Sequence, residues 1–109
     1  MTRVAFLRHS GKPAGFDVSG HSGYAAAGED IICAAISTAV MMTECQLNDV
    51  LGVGAEVTVR EKSARIRVEL PKNSTEETYE KCAPVLLAFE RVMREQAANY
   101  TDYILISEE

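Results

Sequence analysis

The sequence lacks any excess of positive charge: 11 Lys and Arg stand against 16 Asp and Glu, a formal net charge of −5. Such a chain has no general attraction for nucleic acid or an anionic membrane surface, and stable RNA binding by charge alone is disfavoured. Cysteine is sparse, at three residues with no close paired spacing, which excludes a disulfide framework and points to the reducing cytosol. No signal peptide and no stretch of eighteen apolar residues is found, so neither secretion nor a membrane span is expected. The only histidines are His9 and His21. A zinc site would have to be assembled from them with Asp30 and Cys33, without any of the usual paired spacings, and no metal or cofactor is expected. Repeats, linkers and low-complexity segments are also missing. What is present is ordinary globular usage, 47% hydrophobic and 25% charged. A single domain spanning 1–109 follows, of a size that buries roughly two-thirds of its unfolded surface.

Taken in order, residues 4–7 are a short apolar strand, broken by a polar turn at 8–13 with Gly11 and Pro13. Phe16 and Val18 alternate with Asp17 and Ser19 as a returning strand. Residues 31–42 are apolar almost all round and Ala-rich, which predicts a helix buried on most sides, with Asp30 as its N-cap or a first-turn acid. A loop or frayed helix end at 45–54, punctuated by Gly52 and Gly54, leads to two alternating runs at 56–60 and 64–70. These predict a half-buried antiparallel hairpin turning at 61–63. Ser74 with Glu77 is a capping-box signal for a helix carrying Tyr79, Cys82, Val85 or Leu86, Phe89 and Met93 at helical spacing. Pro84 must kink that helix or mark its true start. Residues 103–106 are a last strand. The fold class is α+β, a single-domain sandwich of a mainly antiparallel sheet with two helices in the order β-β-α-β-β-α-β.

Residues 19–37, SGHSGYAAAGEDIICAAIS, hold the candidate chemistry. Gly20, Gly23 and Gly28 permit a shaped loop that keeps His21 near its start and enters the helix at Gly28 or Glu29. Cys33 then falls within about the first turn, where unpaired N–H groups and the positive end of the helix dipole stabilise a thiolate. A nearby imidazole could shuttle the proton, which is the arrangement of a cysteine nucleophile with its base. Asp30, Cys33 and Ser37 lie at i, i+3 and i+7 and share one helix face. Asp30 can cap the helix or orient His21. Ser37 can bond within the helix or line a pocket. Cys45 and Cys82 have packing as their default role.

The run Gly20-His21-Ser22-Gly23-Tyr24-Ala25 followed by Gly28-Glu29-Asp30-Ile31-Ile32-Cys33-Ala34-Ala35-Ile36-Ser37 closely resembles the hallmark of the bacterial ribosomal-processing cysteine protease family, Prp, with Ser22 and Ile32 as mild departures. The resemblance implies a cysteine endopeptidase that removes a short N-terminal extension from large-subunit ribosomal protein twenty-seven. It implies catalysis by His21 and Cys33, support from Asp30 and Ser37, a homodimer, and a substrate with bulky apolar residues before the cut and a small one after it. The loop with Ser22, Gly23 and Tyr24 would then move over the peptide. Backbone N–H groups at residues 32–34 would form the oxyanion hole. The alternative is a non-catalytic, ribosome-associated module that holds a basic peptide uncut, and a third reading is a structural dimerisation domain. Replacing Cys33 by alanine separates them, since it would abolish cutting and spare binding. The partners expected are a ribosomal protein substrate with an N-terminal extension and a second copy of this chain, with no direct nucleic acid contact and no membrane.

Overall fold

The computed structural model of the chain describes residues 1–20 and 27–109, the side chains of 27–30 excepted. Strands β1 (Thr2–His9) and β2 (Lys12–Ser19) form a hairpin. Its turn is tighter than the sequence suggests, because Ser10 and Gly11 both adopt positive φ, 51° and 79°, the two-residue geometry that matches strand twist. Helix α1 (Ala27–Cys45) runs into one π-helical turn, Gln46–Val50, before β3 (Glu56–Arg60), β4 (Arg65–Glu69), helix α2 (Glu76–Asn99) and β5 (Ile104–Glu108). The expected element order is therefore observed.

The five strands lie in the order β3-β4-β2-β1-β5. Three pairings are antiparallel, and β1 with β5 is parallel. One face of the sheet supplies Val4, Phe6, Phe16, Val18 and Val68 to a core shared with Ile32, Ile36 and Val40 of α1 and with Tyr79, Cys82, Leu86, Phe89 and Met93 of α2. The aromatic centre of that core is Phe89, stacked on Phe16 at 4.2 Å and edge-on to Phe6 at 6.4 Å. Residues of the opposite parity carry charge. There Asp17 is buried and accepts from Nε of Arg65 at 3.0 Å and Nη1 of Arg67 at 2.9 Å. Burial pushes the Asp17 carboxyl up, but the two guanidinium groups outweigh it and hold its pKa below the usual value.

Several local expectations change. Thr75, not Ser74, caps α2, its hydroxyl accepting from the Thr78 N–H at 3.2 Å. The Ser74 hydroxyl instead donates to the Pro71 carbonyl at 2.5 Å. Pro84 lies inside α2 rather than at its start. The segment after α1 is ordered by Leu47, fully buried, and by Asn48, whose side chain accepts from the Ala55 N–H at 2.7 Å and donates to the Ala55 carbonyl at 3.2 Å. Strand β3 is exposed throughout, with Val59 at 63%, because it is the sheet's edge and neither helix covers it. Helix α1 buries only one side. Ile31, Met41 and Met42 are exposed, as are Ala34, Ala35 and Thr38 between them. By length and composition Ile31–Val50 would suffice to cross a membrane, although the sequence has no run of eighteen apolar residues. In this fold Ile32, Ile36, Val40 and Leu47 commit one face of that stretch to the core.

Candidate active site

Two segments converge on the start of β1. Strand β2 ends at Ser19, opposite Arg3, and Gly20 follows with φ +82°. The Gly20 N–H donates to the Ser63 carbonyl at 3.4 Å, tying the strand end to the tip of the β3–β4 hairpin. A Cβ on Gly20 would stand 2.5 Å from the Met1 carbonyl oxygen, so both the backbone angle and the available space require glycine. His21 is the next residue along the chain. From the other side, α1 brings Cys33, whose Sγ lies 3.8 Å from Oγ1 of Thr2. Cys33 is 3% exposed and Thr2 1%. Gly20 and the Cys33 sulfur thus border one dipeptide, Met1-Thr2.

The remaining expected residues fall into three groups. His21, Ser22, Gly23 and Tyr24 lie outside the described residues. Asp30 has its backbone in α1, three residues before Cys33, and its side chain lies outside them too. Ser37 is exposed one turn beyond Cys33 and lines a groove. The hydroxyl that bonds back within the helix is that of Thr38, donating to the Ala34 carbonyl at 3.0 Å.

One expectation is corrected by where the helix starts. Because α1 begins at Ala27, Cys33 comes six residues later, in the second turn. The N–H groups of residues 32–34 are then interior and bonded to carbonyls four residues back, so they cannot form the oxyanion hole. The unpaired N–H groups of a helix belong to its first turn, which here lies before Cys33. The dipole effect, which fades beyond the first turn, is correspondingly weaker at Cys33 than the sequence suggests. Thr2 was not legible in the sequence as a site residue, since no motif surrounds it.

The groove beside Ser37 has a volume of about 250 Å³ and runs between α1 and the β3–β4 hairpin. Its walls are Val18, Ile36, Val40, Met41, Val59 and Ile66, and Arg60, Glu61 and Arg65 also border it. His9 is remote from this end, at the other tip of β1, where its ring stacks on Tyr79 at 5.4 Å. Among the described residues no three His, Cys, Asp or Glu side chains converge as a metal site would need.

The family model of the cysteine protease Prp matches residues 1–105. The chain belongs to the Prp family of cysteine proteases. No curated protein matches. Among solved structures, SMU.848 from Streptococcus mutans has a TM-score of 0.87 at 24% identity, covering 99% of this chain and 93% of that one. The ribosomal processing protease Prp from S. aureus, in complex with a substrate peptide, has a TM-score of 0.84 at 14% identity with both chains fully covered, 100% each. The same protease with a covalently linked product peptide has a TM-score of 0.74 at 16% identity, again covering 100% of both. These likenesses carry the fold. Cys82 is fully buried, which pushes its pKa up, and the Asp49 carboxylate beside exposed Cys45 raises that one as well.

Proposed function

We propose that this protease is a cytoplasmic endopeptidase that removes the N-terminal extension of large-subunit ribosomal protein twenty-seven, with Cys33 as nucleophile and His21 as its acid–base partner. The observation that supports this most is the convergence of Gly20, immediately before His21, and of Cys33 on the two sides of Met1-Thr2. In the first step the Cys33 thiolate attacks the scissile carbonyl, forming a C–S bond. The C–N bond then breaks, and the departing amine takes the proton that His21 removed from the thiol. Water, deprotonated by the same imidazole, hydrolyses the thioester and restores the thiol. Asp30 orients His21, and Ser22, Gly23 and Tyr24 close over the peptide. Bulky apolar residues before the cut occupy the groove lined by Ile36, Val40 and Val59.

The working unit is a homodimer built on the exposed side of α1. No charged side chain occurs from Ile31 to Thr43, and Ala34, Ala35 and Thr38 at the middle of that face let a second helix approach closely. A two-fold axis there would set Ile31 of one copy toward Met42 of the other.

Incubation with a peptide spanning the extended ribosomal N-terminus, read by mass spectrometry, tests the reading. A single cut by the wild-type chain and none by Cys33→Ala, with binding retained, is the expected result. Retained function in Cys33→Ala would favour the non-catalytic peptide-binding module instead.

A further inference from the structure

We propose that Thr2 is a positioning residue for the nucleophile: its hydroxyl donates a hydrogen bond to the Cys33 sulfur and favours the thiolate over the thiol. The inference rests on Cys33 being the nucleophile. In the resting protein the Oγ1 to Sγ contact is 3.8 Å and either atom can be the donor. Once the sulfur has given up its proton, only the threonine can donate. The contact therefore becomes a hydrogen bond to an anion, which is shorter and stronger than its neutral counterpart. A bond that strengthens on ionisation stabilises the ionised form. No bond at Thr2 is made or broken during this, because the thiol proton goes to His21 and the threonine keeps its own.

Three features make the contact more than incidental packing. Thr2 is 1% exposed, so water does not compete for its hydroxyl, and no other side-chain partner for it occurs among the described residues. Its backbone is pinned, with its N–H donating to the Tyr103 carbonyl at 2.8 Å and Thr2 itself in register with Ile104 of the parallel neighbour β5. The preceding carbonyl, Met1, abuts Gly20, so the backbone on that side of Thr2 is confined as well. The hydroxyl is thus held at a fixed place beside the nucleophile. Threonine rather than valine at a buried strand position is otherwise unfavourable unless its hydroxyl is bonded.

Thr2→Val keeps the shape and removes the donor; Thr2→Ser keeps the donor. The test is the pH dependence of iodoacetamide labelling at Cys33, followed by peptide mass spectrometry in the folded, full-length chain. For Thr2→Val the midpoint should move up by about one pH unit, the size expected for one hydrogen bond to a charged group. Labelling below the midpoint should then slow about tenfold, with the plateau at high pH unchanged. Thr2→Ser should follow the wild type in both respects, and cleavage should track the labelling. If Thr2→Val does not fold, Thr2→Ala against Thr2→Ser makes the same comparison. A midpoint unmoved or lowered in the hydroxyl-free variant would overturn the proposal, because a purely structural threonine has no reason to shift the titration. Failure of the nucleophile assignment looks different: Cys33→Ala would still cut peptide, whereas the labelling comparison would report on the Thr2 contact regardless.

Discussion

Cys45 and Cys82 have raised pKa values for opposite reasons, and each reason predicts a response. At Cys45 the cause is the neighbouring Asp49 carboxylate, so Asp49→Asn should lower that pKa and speed alkylation of Cys45 near pH 8, as read by peptide mass spectrometry. Cys82 should stay slow in the same experiment, because burial is the larger cause there. For the proposed dyad, His21→Ala should lower turnover roughly 10²-fold to 10⁴-fold while changing peptide binding much less. His9→Ala should leave turnover near normal, since that ring is stacked on Tyr79 at the far tip of β1. Loss of cleavage in His9→Ala with activity retained in His21→Ala would reverse the assignment. His21 and Cys33 were legible as candidates because a long motif with fixed spacing surrounds them. Thr2 was not, because its part depends on which strand end the helix happens to cross.

Among the elements, β2 depends on one glycine more than its pattern reveals. Gly15 has φ +155°, and a Cβ there would stand 2.1 Å from the Val68 carbonyl oxygen of β4. That contact is with backbone, which cannot swing aside. Gly15→Ala should therefore destabilise by on the order of 3 kcal/mol, measured by urea denaturation. The alternation that read β3 and β4 as a half-buried hairpin was right for Val68, buried in the core, and wrong for Val57 and Val59, exposed on the edge strand. Periodicity reports which side chains share a face, and not whether another element covers that face. The same limit explains α1, apolar all round in sequence and covered on one side only. It also explains the cap of α2, where Ser74 and Thr75 are both competent residues and only the chain's path out of Pro71 selects Thr75.

At the scale of the whole molecule, acid stability and assembly can both be tested. Asp17 has a folded pKa below its unfolded value near 3.9, so its contribution is present above that pH and is lost as pH falls through the folded value. Asp17→Asn should cost about 2 kcal/mol at pH 7, a typical figure for hydrogen bonds to a charged group with partly exposed partners. The gap to wild type should close as pH is lowered below about 4, followed by denaturant titration at fixed protein concentration. Assembly is tested by Met42→Glu, which puts a charge at a site 61% exposed on α1 and should yield a folded monomer by sedimentation. A wild-type chain that sediments as a monomer would refute the proposed homodimer, and a Met42→Glu chain that stays dimeric would place its contact elsewhere. By itself the sequence determined the element order, the one-domain architecture, the family and the candidate nucleophile and base, because each is written in local spacing or in a contiguous motif. The tertiary structure alone decided the strand order, the parallel pairing of β1 with β5, the uncovered faces of α1 and β3, and the meeting of Thr2, Gly20 and Cys33. Those depend on contacts between residues far apart in the chain, whose pairing is set by how the faces pack together and not by any local preference.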